Sequence, residues 1–579
     1  MCGIAGVIGH PDAVALTARI ATAQAHRGPD GFAVEALAAG AALGHRRLAI
    51  LDLSPRGAQP MTSRDGRWTM VLNGEIFNYR ELREQLPDIP WRSATDTEVL
   101  LEAVARWGLE TALGRSIGMF AVALWDRHEH ALTLARDRIG EKPLVYFWNG
   151  RTLAFASELK ALAPLHDSRI DRAALDLYLA LGYVPAPLSI FRNLHKLEAG
   201  HWLRLHEGSI AIRRWWFPEK VSTALVPPEQ RSQQLRGLIG DAVRLRLRSD
   251  VPIALALSGG IDSSILAAEL GRQGAAPTAF TVVFEGDQTD LPYARRVARH
   301  FGLRHEIVHA EGTKLEYGLA AAVAQAVAHY DEPFADSSSI ASLALAQAVG
   351  ARYKVILEGD GGDEAFGGYR HYEFIAAKQT VKAMAAAVGL RDGCASVYVE
   401  SKTSFRTAER EILLDGNGRP QPALERFLTR HPFAASAGAS PLKRALWSDR
   451  HLALANGLTY KMDTALAAHS IEGRAPLLDH RVIEWAQNLD DHDLVRGREK
   501  KVLLRQAYAP YLPPEILARP KHGFGAPIAQ WLSGPLRKLV AHALPCPLLE
   551  PRLQRGLSGQ RQWAVLTLAL WAKHWGATW

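Results

Sequence analysis

Cysteine is scarce in this sequence: Cys2, Cys394 and Cys546 are the only three among 579 residues. They are too few and too far apart for a disulfide framework or a zinc site, which excludes a disulfide-stapled secreted scaffold. Long apolar runs are missing as well. No stretch reaches the ~18–20 consecutive apolar residues that span a bilayer. The opening residues Met1-Cys2-Gly3-Ile4-Ala5-Gly6 lack the basic region and apolar stretch of a signal peptide. A cytoplasmic protein with no membrane association is the expectation. Short internal repeats, low-complexity tracts and nucleic-acid motifs are also lacking. The net charge of +8 is spread along the chain, so it points to a solvated surface and anionic small substrates, not to nucleic acid.

What remains is an ordinary globular balance of 48% hydrophobic and 22% charged residues in a chain too long for one core, which stops growing near ~250–300 residues. Two domains are expected, over residues 1–205 and 232–579, with a Pro-containing linker at 206–231. The first part alternates apolar runs (Cys2–Ile8, Arg67–Leu72, Gly118–Trp125, Thr152–Ala156) with Gly-rich turns, and helices are expected at Ala13–Ala25 and Asp96–Trp107. That pattern predicts an α+β domain built on antiparallel sheet. From Ser232 strands and helices alternate, beginning with a helix over Ser232–Ser249 and a strand over Pro252–Leu257. Continuous apolar strands between helices predict an α/β parallel sheet covered on both faces. The stretch Ala383–Pro441 carries little signal, and the remainder is expected to be mainly helical.

Cys2 becomes the first residue if Met1 is removed, which a small second residue permits. A free α-amine has a reference pKa of ~7.7–8, and can activate a nucleophile on its own residue. A second-position cysteine alone is an ordinary thiol. Its companions change that reading: Cys2-Gly3-Ile4-Ala5-Gly6, His26-Arg27-Gly28-Pro29-Asp30, Gly44-His45-Arg46-Arg47-Leu48-Ala49-Ile50, Asn73-Gly74-Glu75-Ile76-Phe77-Asn78 and Thr95-Asp96-Thr97-Glu98 follow in one order. This set resembles the class II glutamine amidotransferases, which are N-terminal-nucleophile hydrolases with an αββα sandwich. The resemblance implies Cys2 as nucleophile. The Asn73 amide and the Gly74 N–H would bind the oxyanion, where losing one donor costs ~2.7–4 kcal/mol. Arg47 would grip the glutamine α-carboxylate with its planar fork. Asp96 would take the α-ammonium, with Glu75 close by. Arg27 and Asp30 are expected to hold their turn, and His45 to be structural.

Ser258-Gly259-Gly260-Ile261-Asp262-Ser263-Ser264 follows an apolar strand and opens a helix. Its glycines allow close backbone approach, and free N–H groups at a helix start favour anionic oxygen. It is not the Gly-x4-Gly-Lys-Ser/Thr loop of γ-phosphate transfer. It resembles the pyrophosphate loop of the N-type ATP pyrophosphatases, which split ATP into AMP and pyrophosphate. A second turn, Gly359-Asp360-Gly361-Gly362-Asp363-Glu364, also follows an apolar strand. Asp262 and Asp363 are expected to reach one Mg²⁺, a cation that prefers hard oxygen ligands. By the resemblance, Leu257 and Val282 line the adenine, Glu358 and Gly359 contribute backbone contacts, and Ser258, Gly259, Gly260 and Ser263 complete the ATP site.

Taken together the motifs resemble the glutamine-hydrolysing asparagine synthetases over nearly the whole chain. Further matches are Ala135–Leu144, Phe155–Lys160, Tyr330–Ser338, Ile471–Asp479 and Lys500-Lys501 before Leu503-Leu504-Arg505. The likeness implies an enzyme taking glutamine, ATP and a carboxylate acceptor, aspartate by default, and leaves a homodimer open. Lys501 would stabilise charge as ammonia attacks an acyl-adenylate. An anion is expected between Lys501 and Arg505, because like charges four residues apart on a helix otherwise repel. One position departs from the pattern: Glu358 stands where the family usually has Ser. A carboxylate beside phosphate is repulsive unless it faces a cation. A sugar-acid acceptor, such as one from surface polysaccharide, and a silent nucleotide sensor are the alternatives.

Overall fold

The apolar runs of the N-terminal half are strands, as their patterning predicts. The protein is described by a computed structural model over residues 1–165, 167–217, 226–284, 289–310, 318–377, 403–414, 439–521 and 525–578. Cys394 and most of the stretch 383–441 lie outside the described residues. Strands of the first half are β1 (Gly3–Ile8), β2 (Gly31–Ala38), β3 (Ala41–Arg47), β4 (Met61–Thr62), β5 (Trp68–Ile76) and β6 (Gly118–Asp126). They continue with β7 (Ala131–Arg136), β8 (Val145–Trp148), β9 (Leu153–Ala156), β10 (Leu194–Lys196), β11 (His201–His206) and β12 (Ser209–Arg214). Two six-stranded antiparallel sheets result, ordered β10-β8-β9-β1-β3-β2 and β12-β11-β7-β6-β5-β4. Their inner faces meet through Ile4, Leu43, Val71, Ala121, Leu134 and Phe155. Helix Ala13–Ala23 covers the first sheet and helix Asp96–Trp107 the second. This is the αββα sandwich of the N-terminal-nucleophile hydrolases.

Two boundaries differ from the sequence expectation. The strand expected to stop at Leu72 runs on to Ile76, so it carries Asn73, Gly74 and Glu75 in register with β6. Polar residues and a glycine broke the apolar pattern, but pairing with Gly118–Ala121 continues through them. A domain end at 205 falls inside the β11–β12 hairpin, which pairs His201 with Arg214. The sandwich therefore extends to Arg214. Strand β12 is an exposed edge with a half-exposed Ile212, so its alternation carries little hydrophobic signal.

In the second half β13 (Ile253–Ala256), β14 (Thr278–Val283), β15 (His305–His309), β16 (Val355–Leu357) and β17 (Glu472–Arg474) form a parallel sheet. Its order is β15-β14-β13-β16-β17. Ala254, Phe280 and Ile356 enter one core, while Leu255, Ala279 and Leu357 enter the other, so both faces are covered. The helix expected from Ser232 begins at Pro228, a residue suited to a first helical turn. The strand order reverses about β13, and the crevice between β13 and β16 is where such sheets bind ligands. Strand β17 has no apolar residue, which hid it in the sequence.

Buried charges join the halves. Arg474 donates to Glu75 Oε2 at 2.6 Å and to Glu472 Oε1 at 2.9 Å, and all three are buried. Arg27 bridges Glu158 at 2.9 Å and Asp463 at 2.8 Å with no side-chain exposure. Arg474→Ala leaves two buried carboxylates without their shared cation and is expected to cost about 3–5 kcal/mol, read as a lowered denaturant midpoint. Replacing Glu75 and Glu472 by Gln and Arg474 by Met together is expected to recover much of that loss.

Candidate active sites

Cys2 is pinned by two of the motifs that accompany it. Arg27 Nε donates to its carbonyl at 2.9 Å, and Leu48 N–H approaches Sγ at 3.4 Å. Burial pushes the thiol above its ordinary pKa, and it lowers the Met1 α-amine to about 5. Met1 is fully buried, its sulfur 3.2 Å from Lys142 Nζ. Ser157 Oγ accepts from Ile4 N–H at 3.1 Å and meets the Asn73 amide at 3.5 Å, which brings Asn73 to the strand that follows Cys2. The Asn73 Oδ1 has no partner among the described residues. Gly74 has φ = +140°, and a Cβ there would strike the Met119 carbonyl oxygen, so this approach of β5 to β6 demands glycine.

Arg47 donates to the carbonyls of Ser54 at 2.8 Å and Asp52 at 2.5 Å. A Cβ at Gly57 would strike both the Arg47 guanidinium and Thr95, so glycine there leaves room for the Arg47 fork beside the start of the helix bearing Asp96. Asp96 Oδ2 accepts from Ile76 N–H at 2.8 Å, and burial still raises its pKa to about 6. Glu75 is placed differently: one oxygen is held by Arg474 across the domain interface, and the other has no partner among the described residues. Burial holds it well above the carboxylate range despite Arg474. His45 contacts the Leu72 carbonyl at 3.2 Å, and burial lowers its pKa to about 3. Asp30 accepts from Ala49 N–H at 2.8 Å, holding its turn.

The two Gly-rich turns meet at the C-terminal ends of β13 and β16. Lys501 Nζ lies 2.5 Å from Asp262 Oδ2 and 2.6 Å from Asp363 Oδ1. Lys521 adds a second ammonium 2.5 Å from Asp363 Oδ2. Burial raises Asp262; Asp363 is buried too, but Lys501 and Lys521 draw it well below the carboxylate range. Lys501 itself has φ = +53°, a left-handed conformation that costs a residue with a Cβ about 1–2 kcal/mol. Gly368 makes room for it, since a Cβ there would strike Asp363 Oδ1 and Lys501 Cε. A cavity of about 410 Å³ opens here. Leu257, Phe280 and Val282 line one end, Ser258, Gly260 and Ser263 the loop, and Lys501, Lys521 and Arg505 the cationic wall.

The asparagine synthase family model matches residues 234–572, and the glutamine amidotransferase domain model matches residues 1–216. This chain belongs to the asparagine synthase family. Asparagine synthetase [glutamine-hydrolyzing] 1 of Bacillus subtilis (strain 168) is 30% identical over 99% of this chain and 96% of its own. Asparagine synthetase [glutamine-hydrolyzing] 3 of the same organism is 28% identical over 83% and 79%. Amidase chyE of Penicillium rubens is 28% identical over 93% of this chain and 91% of its own. As a member of the glutamine-hydrolysing asparagine synthase family, the chain carries both the glutaminase and the nucleotide half in one polypeptide.

Within that family frame, the helical Lys501–Arg505 pair from which an intervening anion is expected does not form. Lys501 precedes its helix instead of sitting on it, and its ammonium turns to the two aspartates. Arg505 spends its guanidinium on the Lys500, Leu517 and Arg519 carbonyls. Lys461 and Lys521 escaped the sequence reading. Lys461 is buried on helix Thr459–Ala467 and reaches Asp336 at 3.0 Å and Ser338 Oγ at 2.8 Å in the cavity wall. A lysine on an otherwise buried helix face was the one available signal. Glu358 turns its carboxyl toward Gly473. Among the described residues no cluster of three or more His, Cys, Asp or Glu could hold a metal. A single cationic nitrogen within 2.6 Å of Asp262 and Asp363 nevertheless means one cation can serve both carboxylates. That fits Mg²⁺ sharing two protein oxygens with phosphate and water.

Proposed function

We propose that this chain hydrolyses glutamine at Cys2 and uses the ammonia to convert aspartate into asparagine at the expense of ATP. The observation that carries the reading is the convergence of both Gly-rich acidic turns on Lys501, inside a chain that also bears the Cys2 constellation. With Met1 removed, the α-amine of Cys2 is freed beside its own thiol and can accept the thiol proton. Sulfur adds to the glutamine amide carbon, the oxyanion is met by Asn73 and Gly74, and ammonia leaves. Water then releases glutamate from the thioester.

In the second cavity the loop N–H groups of residues 258–263 and the cations Lys501 and Lys521 hold the phosphates. Asp262 and Asp363 would hold Mg²⁺, which neutralises phosphate charge when bound. The aspartate side-chain carboxylate attacks the α-phosphorus, pyrophosphate departs, and an acyl-adenylate forms. Ammonia then forms a C–N bond to the acyl carbon, the C–O bond to AMP breaks, and the nitrogen loses a proton. Incubation with glutamine, Mg-ATP and aspartate is expected to yield asparagine, glutamate, AMP and pyrophosphate, followed by mass spectrometry. Asparagine missing while AMP still forms with a sugar acid would replace the acceptor.

Glutamine capture carries a pH signature. Asp96 must be ionised to bind the α-ammonium, and burial sets its pKa at about 6. Its charged fraction grows as pH rises through that value. The kcat/KM for glutamine is therefore expected to fall as pH drops from about 7 to about 5. Asp96→Asn is expected to flatten the profile over the same window at a lower plateau.

A further inference from the structure

Two cavities meet at Glu358. Beside the nucleotide cavity lies a smaller one of about 20 Å³. Its walls are Glu141 and Lys142 from the sandwich and Asp463 and Gly473 from the C-terminal half; Glu358 and Asp360 line both cavities. A polar space of this volume holds one molecule the size of water, which is also the size of ammonia. Its far side leads back to the nucleophile. Lys142 Nζ lies 3.3 Å from Asp463 Oδ1 and 3.2 Å from the Met1 sulfur, so loss of Met1 vacates volume between Cys2 and this wall.

Glu358 is 9% exposed, and its Oε2 has no partner among the described residues. Its Oε1 points at Gly473, where a Cβ would stand only 2.9 Å away, so the absent side chain leaves the carboxyl its room. Asp360 Oδ2 is unpartnered too. Leaving a buried polar atom without a partner costs about 1–3 kcal/mol, a cost that a hydrogen-bonding guest offsets. Burial, together with the charge of Asp360, raises the Glu358 pKa well above the carboxylate range, which favours the neutral carboxyl over the carboxylate. A neutral acid can donate to the lone pair of ammonia. A carboxylate would instead favour ammonium, whose nitrogen has no lone pair left for attack.

We propose that Glu358 is a positioning residue that receives ammonia from the small interdomain cavity and passes it to the acyl-adenylate in the nucleotide cavity. The role rests on the glutamine-dependent reading above. It also gives a use to a position that departs from the family pattern, since a serine is shorter than a glutamate.

The test supplies wild type, Glu358→Ala and Glu358→Gln with unlabelled glutamine, Mg-ATP and aspartate in ¹⁵N-ammonium chloride. Glutamate, AMP and the ¹⁵N content of the new amide are measured. In the Ala variant, glutamate formed per AMP is expected to rise about threefold or more, with more ¹⁵N in the amide, because the reactive nitrogen escapes or is replaced from bulk. The Gln variant keeps the shape and a donor, and its ratio is expected to return toward wild type. A wild-type ratio and label in the Ala variant overturns the proposal, as does a Gln variant that leaks as much as Ala. A wild-type protein that forms neither glutamate nor AMP would instead overturn the functional reading on which the proposal stands.

Discussion

Cys2→Ala is expected to lower glutamine-dependent amide formation by about 10³-fold or more, the scale seen when a nucleophile acting with its base is removed. Ammonium chloride is expected to restore synthesis in the same variant. The contrast follows from where the groups lie. Cys2 touches Leu48 and Arg27, all within the sandwich, while the nucleotide cavity is walled by residues of the C-terminal half. Alanine is as small as cysteine at the second position, so Met1 removal is unaffected and the thiol alone is lost. Glutamate release, AMP formation and amide formation are read separately under each nitrogen donor. A parallel loss of glutamine-driven and ammonium-driven synthesis would show that the two sites are not separable, and the two-site reading would fail.

Asp262→Asn is expected to act on the other half. It removes one of the two carboxylates gathered about Lys501, and with it half of the protein charge available to Mg²⁺. Pyrophosphate release is expected to fall by about 10²-fold or more, the scale of removing a preorganised electrostatic group from a transition state. Basal glutaminase activity is expected to change by less than about threefold, since sites with no shared partners respond independently. Stripping divalent cations with EDTA should reproduce the pattern in the wild type, and excess Mg²⁺ should reverse it. Unchanged pyrophosphate release in the variant would remove Asp262 from the metal and phosphate machinery.

Much of this is legible in the sequence. The loop at 258–264 announces itself through a strand, a glycine pair and a helix start, all near neighbours in the chain. Helix Asp96–Trp107 has the bounds its periodicity predicts, and its Thr95 side chain accepts from Glu98 N–H. Strand β17 could not be found this way, because Glu472, Gly473 and Arg474 are buried by their ion pairs and not by hydrophobicity. Lys521 carried no signal either: nothing around it in sequence marks it as a partner of a residue 158 positions away.

The sequence by itself determined the family, the class of each domain and the Gly-rich turns, because glycine geometry, hydrophobic period and motif order act over short distances. Tertiary structure alone decided which charges answer which. Arg27 finds Asp463 across 436 residues, Glu75 is claimed by Arg474, and Lys501 leaves Arg505 for the two aspartates. It also decided that Glu358 lines both the nucleotide cavity and the small cavity beside it. Burial makes the difference: a charge removed from water must be met by whichever partner the packed chain brings near, and that partner is set by the fold, not by sequence proximity.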